Sequence, residues 1–232
     1  MKKRLLITGF VILIFLLLFY GTYTLATSRD YQLFGNLTSK VETNKKVVAL
    51  TFDDGPTENV DQILPLLDKY NVKATFFLIG QDIEKYPEGA KQIAKAGHQI
   101  GNHTYSHNRM VFKTPSFIKE ELEKTDQLIR DAGYQGDIDF RPPYGKKLIG
   151  LPYYLKKQNK ESITWNLEPD SFYSTTADKV NYVKENVTPG SIILLHPMYE
   201  DKDHVLQTIE GVIKNLLEQG YTFVTVDELQ SL

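Results

Sequence analysis

Two adjacent carboxylates, Asp53 and Asp54, follow an apolar run in the order Thr-Phe-Asp-Asp-Gly-Pro. At the end of a buried strand they repel each other and lose hydration unless a positive charge neutralises them. A metal ion would supply that charge, and the Gly-Pro pair ends the pleat so that both side chains can turn toward one site. An ordinary turn is the alternative, and this motif alone leaves both readings open.

Two histidines, His103 and His107, form a second candidate group in the stretch His-Thr-Tyr-Ser-His. Histidines four apart meet on one face of a helical turn, a spacing at which two imidazoles hold one metal. With one carboxylate of the pair they predict a three-ligand zinc site that stays open to water and substrate, and cobalt or nickel also suits these ligands. The metal would polarise an acyl oxygen, and the second carboxylate would be free to act as general base.

Two further side chains end apolar runs. Arg141 begins Arg-Pro-Pro-Tyr-Gly, where prolines stiffen the backbone and the guanidinium can pair with a carboxylate, although a merely rigid loop has the same pattern. His196 ends Ser-Ile-Ile-Leu-Leu-His. A lone histidine there is more often structural, but hydrolysis of an amide needs a proton donor for the leaving amine. His98, in contrast, is predicted to be a packed or capping residue.

The elements that must position these residues alternate along the chain. Strand-like apolar runs cover residues 47–52, 74–79, 98–101, 138–141, 162–167, 191–196 and 222–226. Amphipathic helical stretches between them include residues 60–70, 88–96, 116–132, 177–186 and 205–219. This alternation predicts an α/β fold with a parallel sheet of about seven strands, and a closed barrel of β/α units would bury both faces of that sheet. The candidate residues all follow strands, where barrel enzymes keep their active sites.

Composition excludes several classes of function. The 232 residues carry a net charge of -2 without a basic cluster, so nucleic acid is not an expected partner. The chain has no cysteine, which excludes disulfides, thiolate metal sites and a cysteine nucleophile. Its length suits one catalytic domain, and nothing in the sequence points to a protein partner.

The N-terminus carries a membrane signal. Three basic residues at positions 2–4 precede an uncharged apolar run over residues 5–28, long enough to cross a bilayer. The basic flank predicts a cytoplasmic N-terminus and an extracellular remainder. We therefore predict an anchor over residues 1–28, a linker over 29–45 and a catalytic domain over 46–232. Secretion after cleavage of a signal peptide is the alternative.

Taken together, Thr-Phe-Asp-Asp-Gly, His-Thr-Tyr-Ser-His, Arg-Pro-Pro-Tyr-Gly and Leu-Leu-His resemble the motifs of the polysaccharide deacetylases of the NodB-homology, carbohydrate esterase family 4 type. The resemblance spans about residues 46–232. It implies a distorted β/α barrel and metal-dependent removal of N-acetyl or O-acetyl groups from chitin-like, peptidoglycan or xylan chains.

The same resemblance implies a role for each motif residue. Asp54, His103 and His107 are expected to hold the metal ion. Asp53 is expected to be the general base, positioned and tuned by Arg141.

By the same resemblance, His196 is the expected general acid. The backbone N–H of Tyr144 would help stabilise the oxyanion, and the Tyr144 side chain, with Trp165, would line the sugar groove. The segment after the fifth strand departs from the family pattern, because Ser171 falls where a second aspartate is expected. Asp170 is the candidate for orienting His196, and the departure leaves that role open.

These expectations define one function and its rivals. Topology favours peptidoglycan outside the membrane, with N-acetylglucosamine or N-acetylmuramic acid as the deacetylated sugar and acetate as product. An inactive glycan-binding relative is the first alternative, motivated by the atypical segment 168–172. Deacetylation of chitin oligomers, xylan or a small-molecule amide is the second.

Overall fold

The computed structural model describes residues 2–232, apart from the side chains of Leu5 and Lys202. Its helices are α1 (Lys2–Thr27), α2 (Val60–Lys69), α3 (Gly80–Lys85), α4 (Pro87–Lys95), α5 (Pro115–Asp131), α6 (Gly150–Lys157), α7 (Thr176–Asn186), α8 (Lys202–Glu218) and α9 (Val226–Gln230). Its strands are β1 (Leu37–Thr38), β2 (Val47–Asp53), β3 (Thr75–Leu78), β4 (Gln99–Asn102), β5 (Ser162–Ile163), β6 (Ile192–Leu195) and β7 (Thr222–Val224). Single 3-10 turns cover Pro143–Gly145 and Pro169–Ser171.

The sheet is parallel, as the alternation of strands and helices predicts, and β2 is its centre. β2 is buried along its whole length and pairs with β3, β6 and β7, while β4 pairs with β3. Isolated parallel bridges join the two edges of this sheet into a ring. They run from Asn102 at the end of β4 through Phe140 to Ser162 in β5, and from Leu167 to Ile193 in β6. The α/β prediction is confirmed, and the ring is a distorted barrel whose far side is joined by single bridges.

Two predicted strands are wrong in extent. The run 138–141 contributes only the bridge residue Phe140, because the prolines that follow Arg141 have no N–H to extend a ladder. The run 162–167 is a regular strand only at its first two residues.

The segment 29–45, predicted as a linker, lies along the domain. It supplies β1, which pairs with β5, and Val41 then donates a backbone hydrogen bond to the Gly190 carbonyl at 3.0 Å. Gly190 has φ of 79°, and a Cβ there would lie 1.7 Å from the Val41 carbonyl oxygen. Main-chain hydrogen bonds join this segment to the domain. Because such bonds do not require apolar side chains, the polar sequence of the segment does not indicate a strand.

Among the described helices, α1 is the one that is long enough and apolar enough to cross a membrane. An 18-residue window of it has no buried residue, so the domain does not cover its apolar side chains. The predicted N-terminal apolar helix is therefore present.

His98 is a packed residue, as predicted, and it makes stability depend on pH. It is buried, its Nδ1 accepts the backbone N–H of Ala74 at 3.2 Å, and burial and Lys73 lower its pKa from 6.5 to about 4. Below pH 6.5 the unfolded chain binds a proton that the folded chain excludes. We therefore expect His98 to lower the free energy of unfolding by about 3 kcal/mol as the pH drops from 6.5 to 4.

Urea unfolding of the detergent-solubilised chain at pH 7 and pH 4 measures this effect. The matched variant His98→Gln keeps a polar acceptor without the titration, so the difference between the two pH slopes isolates His98. Equal slopes for the two proteins would contradict the assignment.

Candidate active site

Loops that follow β2, β4 and the bridge residue Phe140 hold unusual backbone conformations. Asp54, Thr104, His107 and Tyr144 have positive φ, of 73°, 68°, 56° and 59°. They are four of the seven non-glycine residues with positive φ among those described. Such conformations are unfavourable for L-residues and concentrate at functional sites. All four residues lie within the sequence motifs, so the unfavourable backbone conformations occur in the loops that carry the candidate site residues.

The side chains of Asp54, His103 and His107 converge. Their candidate ligand atoms all lie within 4.8 Å of one another, and Asp54 Oδ1 is 3.4 Å from His107 Nε2. The reason differs from the predicted one, because residues 103–107 form an irregular loop after β4 and not a helical turn. The loop turns back on itself through the positive φ angles of Thr104 and His107. The ring centres of His103 and His107 therefore lie 4.9 Å apart without helical spacing.

Two local features show that this group fits a divalent metal ion. Asp54 Oδ1 is buried and has no hydrogen-bond partner in the described chain. His103 Nδ1 lies 2.7 Å from the Arg141 carbonyl oxygen, which can only accept, so Nδ1 carries the proton. Nε2 therefore presents its lone pair toward Asp54, 3.8 Å away. A histidine held this way by a backbone carbonyl is typical of metal ligands.

Asp53 is held as a buried carboxylate beside that group. Arg141, with no exposed surface, donates to Asp53 Oδ1 at 2.7 Å and to Thr51 Oγ1 at 2.8 Å. Asp53 Oδ2 faces His103 Nε2 at 3.6 Å. Burial alone raises the pKa of Asp53, but the nearby cationic groups, Arg141 first and also His196, outweigh it and lower that pKa. At neutral pH Asp53 is thus an ionised base with one oxygen turned to the site.

Asp170 contacts His196, the residue that it was a candidate to orient. Its Oδ2 accepts the backbone N–H of His196 at 2.7 Å and lies 3.3 Å from His196 Nδ1. Burial lowers the pKa of His196, but this hydrogen bond and the charges of Asp53 and Asp54 outweigh it and raise the pKa to about 9. His196 is therefore protonated at neutral pH and able to donate.

Lys179 is a residue that the sequence reasoning missed. Its ammonium is buried and lies 2.9 Å from Asp170 Oδ1 and 3.3 Å from Glu200. Together with His196 it lowers the pKa of Asp170, against the effect of burial. A lysine directly before Val180, on the buried face of α7, was the available signal.

The two aromatic candidates have different surroundings. Tyr144 is 54% exposed and its ring lies 4.8 Å from that of His107, so it stands at the mouth of the site. Trp165, predicted to line the groove, is only 4% exposed. It packs beneath Gly145 and donates from Nε1 to Glu168 at 2.9 Å. The proline-rich loop covers part of its ring at Gly145, and the groove-lining role of Trp165 stays a prediction.

The fold and this site identify the class. The chain belongs to the polysaccharide deacetylase family, whose sequence model matches residues 40–162. The family predicted from the motifs is thereby confirmed.

Among known relatives, the chain is 38% identical to a peptidoglycan-N-acetylglucosamine deacetylase of Bacillus cereus, over 80% of this chain and 69% of that protein. A crystal structure of a peptidoglycan N-acetylglucosamine deacetylase bound to an N-oxidanyl-benzamide has a TM-score of 0.78 and 33% identity, covering 83% of this chain and 92% of that one. A CE4 family pseudoenzyme from Bacillus anthracis has a TM-score of 0.76 and 29% identity, covering 85% and 69%.

Proposed function

We propose that this chain removes N-acetyl groups from peptidoglycan, with N-acetylglucosamine as the first substrate and N-acetylmuramic acid as the second, and releases acetate. The observation that carries the proposal is the convergence of Asp54, His103 and His107 beside the ionised Asp53. The family is generally metal-dependent, and the related B. cereus enzyme acts on this sugar. No nucleic acid or protein partner is part of the proposal.

Asp54, His103 and His107 would hold one divalent ion, zinc by ligand type, with cobalt or nickel as substitutes. When bound, the ion would polarise the acetyl carbonyl and acidify water. Asp53, ionised by its pairing with Arg141, takes the proton of the attacking water. The oxyanion is stabilised by the Tyr144 backbone N–H.

His196 completes the reaction. Protonated and oriented by Asp170, it gives its proton to the amide nitrogen as the carbon–nitrogen bond breaks. The products are acetate and a glycan with a free amine.

The location proposed for this reaction is the outer face of the cell membrane. Helix α1 would span the bilayer with the basic residues 2–4 in the cytoplasm, and residues 46–232 would form the extracellular catalytic domain. Under the alternative, a cleaved α1 would release the same domain into the medium.

The test is acetate release from peptidoglycan and from N-acetylglucosamine oligomers by the metal-loaded full chain in detergent. Chelation should abolish release and added zinc should restore it. A metal-loaded chain that binds these glycans and releases nothing is the inactive relative, a possibility raised by the pseudoenzyme neighbour and Ser171. If acetate is released only from chitin oligomers, xylan or small amides, peptidoglycan is not the substrate, but the proposed deacetylation reaction stands.

Removing one proposed ligand should remove the metal. We expect Asp54→Ala to reduce zinc content after dialysis far below that of the parent chain, since the ion loses its only anionic ligand of the three. The matched control Asp139→Asn changes a buried aspartate elsewhere, before the proline-rich loop, and should retain zinc. Elemental analysis of both proteins decides the point, and full zinc occupancy in Asp54→Ala would contradict the ligand set.

Activity should show a bell-shaped pH dependence. Asp53 must be ionised, and its pKa lies below the ordinary 3.8, whereas His196 must be protonated, and its pKa is about 9. The acid limb of kcat/KM, set by Asp53, is therefore expected below pH 4. The alkaline limb, set by His196, is expected no higher than about pH 9, because a bound cation weakens the effect by which Asp53 and Asp54 raise the pKa of His196. A flat profile would contradict both roles.

Asp170→Asn should move the alkaline limb to lower pH, because the hydrogen bond to Asp170 raises the pKa of His196 most. The control Asp178→Asn alters an exposed aspartate on α7 and should leave the limb in place. Identical limbs in the two variants would show that Asp170 does not tune His196.

A further inference from the structure

Helix α1 ends on the domain itself. Lys147 donates its backbone N–H to the Ala26 carbonyl at 3.0 Å, and its buried ammonium donates to the carbonyl of Ser28. Arg29 follows and pairs with Glu168 at 2.6 Å. These contacts leave no free chain between helix and domain, so they fix the height and orientation of the domain relative to α1.

An open groove of about 270 Å³ lies between α1 and two loops of the domain. On the helix side it is lined by Phe19, Thr22, Tyr23, Ala26 and Thr27. On the domain side it is lined by Arg109, Val111, Phe112 and Lys146, which we call the rim.

The rim reaches back along α1 to the depth of the outer membrane boundary. Phe19 lies seven residues before Ala26, or about 10 Å along the helix axis at 1.5 Å per residue. A span needs about 20 residues, which, counted from the basic residues 2–4, ends at about residue 24. Phe19 and Tyr23 therefore lie at the end of the span, and the rim residues beside them lie level with headgroups and upper acyl chains.

The composition of the rim suits that depth. Phe112 is 83% exposed and has φ of 56°, a strained conformation that presents a large apolar ring to the surroundings. Arg109 is exposed, and Lys146 is half-buried. None of the described residues lining the groove is acidic. Aromatic and basic side chains together are typical of surfaces that rest on anionic lipid.

We propose that the rim is a second membrane contact, with Phe112 among the upper acyl chains and Arg109 and Lys146 at anionic phospholipid headgroups of the outer leaflet. This inference rests on the membrane anchor of the proposed function and deepens it. The Arg109 guanidinium carbon lies 5.0 Å from the centre of the Tyr144 ring, and that ring lies 4.8 Å from His107. These two contacts place the candidate metal site beside the proposed lipid surface.

Tryptophan emission gives a direct test, because the chain has a single tryptophan, Trp165, and it is buried. The full chain with Phe112→Trp is reconstituted in phosphatidylcholine–phosphatidylglycerol vesicles, with and without lipid brominated on the upper acyl carbons. The control is Leu217→Trp, 39% exposed near the end of α8, which leads into the amino end of β7. We expect bromine to quench Phe112→Trp and spare Leu217→Trp, with less quenching when phosphatidylcholine replaces phosphatidylglycerol.

Several results would overturn the proposal. An unquenched Phe112→Trp in vesicles that hold the chain shows that the rim faces water. An emission shift that depends on protein concentration and not on bromine assigns the groove to a second copy. A chain that does not float with vesicles removes the anchor and the rim together. Acetate release from soluble oligomers is measured on the same samples, so quenching without release rejects the hydrolysis alone, and release without quenching rejects the rim alone.

Discussion

Asp53→Asn is expected to lower kcat for acetate release by about 10²- to 10⁴-fold, the usual contribution of a positioned general base. The amide keeps an oxygen that can accept the Arg141 hydrogen bond now made at 2.7 Å, so the side chain stays in place. It cannot take the proton of the attacking water. Initial rates at saturating substrate, with equal zinc loading, measure the loss.

Zinc content separates this variant from a ligand variant. Asp54, His103 and His107 are unchanged in Asp53→Asn, so zinc should remain bound, whereas Asp54→Ala should lose it. A parallel thermal unfolding curve shows whether lost folding explains the lost rate. A kcat within a few-fold of the parent, with the fold and zinc retained, would remove Asp53 from the mechanism.

Much of the candidate site could be predicted because parallel strands present their carboxyl ends at one edge. Asp53 ends β2, His103 follows β4 and His196 follows β6, so residues distant in sequence were expected at a common place. The strands themselves are short apolar runs with strong signals. The local geometry differs from the predicted one, since the two histidines meet through a loop with positive φ at Thr104 and His107 and not through a helical turn.

What the sequence did not show depends on contacts that composition does not record. Residues 37–38 pair with β5 through main-chain hydrogen bonds, which a polar sequence makes as well as an apolar one. Trp165 is buried because the loop around Gly145 folds over it, a tertiary event with no local pattern. The departure at Ser171 left the role of Asp170 open, yet Asp170 reaches His196 because the 3-10 turn Pro169–Ser171 carries it there.

The second large effect is expected from Arg141→Leu, which should destabilise the fold by about 3–5 kcal/mol because it leaves a buried carboxylate without its partner. Asp53 is 2% exposed and would lose the charge that opposes its burial. The carbonyls of Ile163 and Thr164 would also lose their donors. Burial would then raise the pKa of Asp53, so the defect should shrink as pH falls and Asp53 takes up a proton.

A double-mutant cycle tests whether this loss belongs to the pair. Urea unfolding is measured for the parent, Asp53→Asn, Arg141→Leu and the double variant. Because the double variant buries a neutral amide in place of an unpaired charge, it should lose less stability than the two single variants combined. Simple additivity, or a defect in Arg141→Leu that is the same at pH 4 and pH 7, would show that Arg141 supports the fold through its backbone carbonyl contacts and not by holding Asp53 ionised.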